Sequence, residues 1–199
     1  RAGAPAAKPS LLLHACCAPC SSYVIEYLAS YFDISIYYYN PNIHPQKEYE
    51  RRLHELENFL PQFPPALENR VRLIRADYDE SEFEEAVRVA ENPQLASEAE
   101  RGERCRRCYE LRMKRAYEYA RAHSFDWFTT TLSISPFKDA DKINGIGAML
   151  EASGGPRFLT SDFKKRNGFK RSLEISKAYG MYRQEYCGCK YSRENMSAH

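Results

Sequence analysis

Apolar positions along this chain follow two periods that alternate. Residues 11–15 form a short apolar run, the pattern of a buried strand. Over 21–31 the spacing becomes helical, with Val24, Ile25, Leu28 and Tyr31 on one side. Residues 33–39 return to β-forming types, and Asn-Pro-Asn-Ile-His-Pro at 40–45 is punctuated as a loop. The same reading predicts an amphipathic helix over 46–60, broken by the prolines of 61–65, and a third strand over 71–75. Helices follow over 80–90 and 103–122, then a fourth strand over 127–131 and a helix over 139–150. A fifth strand over 157–160 and a last helix over 169–179 complete the series, with Gly180 as its stop.

Strands that alternate with helices pair in parallel through right-handed crossovers. The expected fold is therefore α/β: one doubly wound, mostly parallel sheet of about five strands with helices on both faces. Residues 11–192 read as a single domain, 1–10 as a flexible amino-terminal tail and 193–199 as a carboxyl-terminal tail. Ligands of such sheets sit beyond the carboxyl ends of the strands. The unusual loops all follow strands: Cys-Cys-Ala-Pro-Cys at 16–20, then 40–45, Asp-Tyr-Asp at 77–79, 132–138 and 161–165. All five are expected at one edge of the sheet, as a single site with its metals there.

Composition narrows the class. At 43% hydrophobic residues the chain can bury a core, and a formal charge of +2 is too balanced to announce a polyanionic partner. No apolar run approaches a membrane span, and 1–10 has no apolar segment of the secretory kind, so no membrane partner and a cytoplasmic location are expected. Seven cysteines in such a chain point away from a disulfide framework and toward metal or redox chemistry.

The cysteines fall into three groups: Cys16, Cys17 and Cys20; Cys105 and Cys108; Cys187 and Cys189. Three thiolate groups in one short chain suit an iron–sulfur cluster, which needs ligands from several directions. Cys105 and Cys108 share one face of a helix start beside Arg104, Arg106 and Arg107, which favours thiolate. Gly188 supplies backbone freedom between the last pair. Neighbouring Cys16 and Cys17 are expected to point apart and to serve two adjacent centres. Three alternatives stay open. Some cysteines are small buried hydrophobes. Paired Cys-x-x-Cys groups also suit structural zinc, as in a zinc-stabilised RNA-binding module. Cys17-Ala-Pro-Cys20, between strand and helix, has the form of a thioredoxin-like thiol oxidoreductase motif.

Together, His14-Ala-Cys-Cys-Ala-Pro-Cys20, the 39–45 loop with Glu48-Tyr49, Cys105-Arg-Arg-Cys108, the 132–138 segment, Asp162-Phe-Lys-Lys165 and Gln184-Glu-Tyr-Cys-Gly-Cys189 resemble the cobalamin-independent epoxyqueuosine reductase family, formerly a domain of unknown function. The resemblance runs from 11 to 192. It implies two-electron reduction of epoxyqueuosine at the tRNA wobble position to queuosine, with loss of the epoxide oxygen as water. It further implies a [4Fe-4S] cluster beside a single iron, tRNA and an external electron donor as partners, and no cobalamin. Under it, Cys17, Cys105, Cys108, Cys187 and Cys189 are cluster ligand candidates, and all seven cysteines, Cys16 and Cys20 included, are metal ligand candidates. The provisional division gives the cluster Cys17, Cys105, Cys108 and one of the final pair. Cys20 stands where some members carry Asp, which would soften the second metal site.

Asp162, His44 and His14 are the candidate proton donors. Each also has a structural reading: a helix N-cap for Asp162, a satisfied core residue for His14, a loop residue for His44. Asn40, Asn42, Ser133, Ser135, Lys138, Lys164 and Lys165 are candidate substrate or tRNA contacts, their alternatives being turn residues and solvated lysines. An ATP-dependent tRNA-modifying enzyme of similar fold is the main rival. It would place a Ser-Gly-Gly phosphate loop after the first strand. Cysteines occupy that place, and Ser153-Gly-Gly155 precedes a strand, so no ATP is expected.

Overall fold

The structure is a computed structural model and describes residues 7–197, with side chains as far as Glu194. In chain order the elements are β1 (Ser10–His14), α1 (Ala18–Leu28), β2 (Asp33–Tyr38), α2 (Gln46–Phe59), α3 (Pro64–Glu68), β3 (Arg72–Arg75), α4 (Glu80–Val87), α5 (Glu103–Ala122), β4 (Trp127–Thr130), α6 (Ala140–Ala152), β5 (Arg157–Phe158), α7 (Gly168–Ala178) and α8 (Lys190–Ser197). The five strands form one sheet in the order β3-β2-β1-β4-β5, and all four pairings are parallel.

The period of two sorts the strand residues between two cores. Leu11 and Leu13 of β1, with Ile34, Ile36 and Tyr38 of β2, face α1, α2 and α7. Leu12, Tyr37 and Phe128 face α5 and α6 on the other side. Burying both faces is why the central strands read as continuous apolar runs. A smaller third cluster joins Phe83 and Val87 of α4 to Cys108 of α5 and to Cys189 and Tyr191 beside α8.

The main differences from the sequence reading lie at α1 and at the two predicted tails, while α4 and β5 stop earlier than expected, at Val87 and Phe158. Helix α1 begins at Ala18, because Pro19 is suited to a first turn and the Cys17 sulfur caps it by accepting from Cys20 N at 3.4 Å. The amino-terminal tail ends earlier than expected: Ser10 is in β1, and Lys8 Nζ donates to Ala29 O at 2.7 Å, while 1–6 lie outside the described residues. Most of the predicted carboxyl-terminal tail belongs to α8, which Tyr191 docks through its hydroxyl to Glu84 Oε2 at 2.7 Å; 198–199 lie outside the described residues. The predicted stop at Gly180 holds, with φ +59° in the left-handed region. Among the described residues no helix is long and apolar enough to cross a membrane.

Candidate active site

The chain winds outward through β1, β2 and β3, then returns to lay β4 and β5 on the other side of β1. The carboxyl ends of β1 and β4 therefore border the crevice where the strand order reverses. Cys16 and Cys17 follow β1, and Thr131–Ile134 follow β4 as one 3-10 turn. Thr131 Oγ1 lies 3.9 Å from Cys16 Sγ.

The expectation that Cys16 and Cys17 point apart is corrected by the structure. Their sulfurs are 3.8 Å apart, and the sulfurs of Cys16, Cys17 and Cys20 all lie within 4.8 Å of one another. The strand-to-helix turn at extended Cys17 brings the two side chains to the same side. A tetrahedral ion with metal–sulfur bonds of about 2.3 Å spaces its sulfurs about 3.8 Å apart, so the trio fits one ion.

Cys105, Cys108, Cys187 and Cys189 line a second, adjoining cavity together with Asn42 and Arg112. By position the cysteines thus divide three and four, a grouping different from the provisional division. The last pair arrives on an anchored loop. Arg52, 1% exposed and held by Glu48 Oε1 at 2.7 Å, donates to Cys187 O at 3.2 Å and Tyr186 O at 3.3 Å. His44 N donates to Gly188 O at 2.8 Å. Gly188 has φ +111°, and a Cβ there would meet Ile43 Cγ1 at 2.8 Å, so glycine is required by both conformation and space.

Arg112, on α5 four residues after Cys108, is a central residue that the motifs did not single out. It is 2% exposed. Its Nη2 donates to Asn40 Oδ1 at 2.6 Å, its Nε has no partner, and no described carboxylate pairs with it. A buried cation needs an anion. Cys16 and Cys187, both held toward thiolate, supply it, and they raise the guanidinium pKa against the opposing effect of burial. In each cysteine group one thiol is driven toward thiolate: Cys16 by hydrogen bonds from Cys17 and Cys20, Cys187 by one from Cys189, with Lys138 favouring both anions. Burial pushes Cys17 up to about 12 and Cys105 up to about 11, although Gln184 Nε2 donates to Cys17 Sγ at 3.1 Å. All seven cysteines are free thiols. An anionic metal–thiolate centre would neutralise the buried cations, so the residues present fit such a group.

A cleft of about 490 Å³ opens beside the thiols, a size suited to a small organic group. Cys16, Cys20, Cys187, Ser135 and Lys138 line it, as do Arg183 and Gln184, which were not among the sequence candidates for contact residues.

Several candidates stand elsewhere. Ser133 is fully buried and ties two loops together, 3.3 Å from Ser161 Oγ. Asn40 holds Ala15 O at 2.9 Å as well as Arg112, so it positions the Cys16 turn. Asp162 is not a helix cap, since Asn167 precedes α7; Lys164 Nζ at 2.7 Å and Lys165 Nζ at 3.7 Å flank its carboxylate away from the cleft lining. His44 approaches Glu80 Oε1 at 2.9 Å out of hydrogen-bond alignment and also lies outside the lining. The loops after β3 and β5 border neither cavity. They follow outer strands, away from the crevice between β1 and β4.

His14 is fully buried with both ring nitrogens engaged, Nε2 donating to Tyr39 O at 3.0 Å and Nδ1 accepting from Thr130 Oγ1 at 2.8 Å. This is a satisfied core histidine. Burial pushes it from the ordinary 6.5 down to about 3. Between those values the unfolded chain binds the proton and the folded one does not. Stability therefore rises with pH across the window and is lost as pH falls through it, by up to about 1.4 kcal/mol per pH unit. The urea midpoint of the metal-free protein is expected to fall more steeply from about pH 7 to about pH 5 than that of His14→Gln. Parallel curves for the two would reject this assignment.

Comparison with known proteins shows the family. A family model described as epoxyqueuosine reductase QueH matches residues 11–195. Proteins of that name from Streptococcus pyogenes serotype M1 and Haemophilus influenzae are 42% and 43% identical, over 93% and 92% of this chain and 71% of each relative. The one from Thermotoga maritima is 30% identical over 92% of this chain and 90% of its own length. The chain belongs to the epoxyqueuosine reductase QueH family.

Proposed function

We propose that this protein reduces epoxyqueuosine in tRNA to queuosine, using a [4Fe-4S] cluster held by Cys105, Cys108, Cys187 and Cys189 and a single iron held by Cys16, Cys17 and Cys20. The observation that carries this reading is the convergence of all seven thiols on the end of the sheet where the strand order reverses, six of them lining two adjoining cavities. The balanced reaction takes an epoxide, two electrons and two protons to an alkene and water. Both carbon–oxygen bonds break and the oxygen leaves protonated, with an external reductant as the electron source. When bound, the metal centres supply one-electron transfer and Lewis acidity.

The protein's own groups do the rest. Arg112 and Lys138 place positive charge beside the thiolates and beside the departing oxygen. Lys138, which lines both cavities, brings a proton to a place that His14, His44 and Asp162 do not line. Thr131 and Ser135 offer hydroxyls to the substrate's own hydroxyl groups. Lys164 and Lys165 lie outside the cleft lining and Arg183 within it, and all three suit the tRNA phosphates. Free thiols at this density match a reducing cytoplasm.

Anaerobic purification, followed by iron, sulfide and zinc analysis, a visible spectrum and an assay on epoxyqueuosine-containing tRNA, tests the reading. About four sulfides and five irons per chain with brown absorbance are expected, and reduction of the modified tRNA on adding a low-potential donor. A colourless protein carrying stoichiometric zinc after anaerobic reconstitution would replace this reading with a zinc-stabilised RNA-binding module.

A further inference from the structure

We infer that Phe137 is a stacking platform for the wobble nucleobase, positioning the substrate's flat heterocycle at the mouth of the cleft while its epoxide-bearing ring reaches the thiols. The inference rests on the tRNA reading above and goes beyond it in naming a residue and the part of the substrate it holds.

Exposed apolar residues scattered singly need no explanation. Three observations together single out Phe137. Of the large apolar side chains that are well exposed, Tyr27, Tyr31, Leu67, Met149, Leu173 and Tyr179 lie away from the cleft, whereas Phe137, 67% exposed, borders both it and the four-cysteine cavity. No other described aromatic ring pairs with it, although thirteen ring pairs occur elsewhere among the described residues. The turn that carries it is pinned. Phe137 N donates to Ser135 Oγ at 3.3 Å, Lys138 N donates to Ser135 O at 3.2 Å, and Arg101 donates to Pro136 O. Asp139 then caps α6 by accepting from Lys142 N at 3.1 Å. The turn therefore holds an unpartnered phenyl ring in water at the rim of the site.

The chemistry of the rim selects a nucleobase. Lys138 and Arg183 put cations within the same cleft, and a ring flanked by cations is the composition that binds unpaired bases of single-stranded loops. Phe137 borders the cavity containing Cys187, so a heterocycle resting on it lies one side chain away from the reactive end.

The test uses the metal-loaded enzyme. Phe137→Ala is expected to raise KM for the modified tRNA roughly 5- to 150-fold, with metal content and visible spectrum unchanged. Phe137→Tyr and Phe137→Trp should recover KM, whereas Phe137→Leu should not, because bulk alone does not stack. A second readout is independent of turnover. In the double variant Phe137→Trp, Trp127→Phe the only tryptophan is at 137, and its fluorescence should be quenched by an anticodon stem-loop but not by the same loop abasic at the wobble position. Equal quenching by both loops, or an unchanged KM in Phe137→Ala, overturns the inference while the reductase reading stands. Absence of turnover by the wild type overturns the reading itself.

Discussion

Replacing Cys105 or Cys187 by serine is expected to abolish epoxyqueuosine reduction and to bleach the visible absorbance. Both residues border the four-cysteine cavity, on elements more than sixty positions apart in sequence. Loss of an outer partner of a metal centre commonly costs 10- to 100-fold, so loss of a ligand should exceed about 100-fold in kcat/KM. Cys16→Ser or Cys20→Ser is expected to differ, keeping the cluster absorbance while one iron per chain is lost. The comparison also separates the reductase from a thiol oxidoreductase working through Cys17-Ala-Pro-Cys20. Such an enzyme would keep its activity without Cys105 or Cys187. Full absorbance and turnover in Cys187→Ser would remove the four-cysteine assignment, provided the circular dichroism of the variants shows the fold intact.

The second large effect is expected at Arg112→Met. The substitution removes a buried guanidinium that donates to neutral Asn40 and whose charge is balanced by the thiolates of Cys16 and Cys187. In the metal-free protein two effects oppose each other. Met avoids burying a charge, which is often neutral or stabilising. Asn40 Oδ1 is left unpaired, at a cost of about 1–3 kcal/mol. The net change in the urea midpoint is therefore expected to be small. The metal-loaded protein loses a buried positive charge beside the thiols, so iron affinity should fall roughly 10- to 100-fold, and the reduction potential should move negative. Arg112→Lys should restore part of the potential but not the bond geometry of the guanidinium fork. Reconstitution titrations and redox potentiometry read these effects directly. An unchanged affinity and potential in Arg112→Met would refute the charge-balance argument.

What could be read from the chain alone, and what could not, divides along the range of the interactions involved. The alternation of apolar runs with helical spacing specified five strands, their parallel pairing and helices on both faces, because each pattern reports the burial of its own segment. The Cys-rich turn after β1 was placed correctly, since a ligand site beyond a strand's carboxyl end follows from topology. The motifs carried the family. The cysteine geometry was not legible. Cys16 and Cys17 converge because of one strand-to-helix turn, where neighbours in sequence were expected to diverge. Cys108 and Cys189 share a cluster with Phe83 and Val87 of α4 and Tyr191 of α8, a helix that the sequence did not predict and most of which falls in the expected tail. Arg112 looked like one more arginine on a charged helix until folding buried it among thiols. His14 admitted two readings, proton donor and satisfied core residue, and Thr130 and Tyr39, which take both its nitrogens, decide for the second. Local patterns thus determined the elements and the end of the sheet where chemistry happens. Which thiols meet, which cation faces them and which side chains reach the cleft were decided by long-range packing, because burial and charge balance depend on neighbours that the sequence holds far apart.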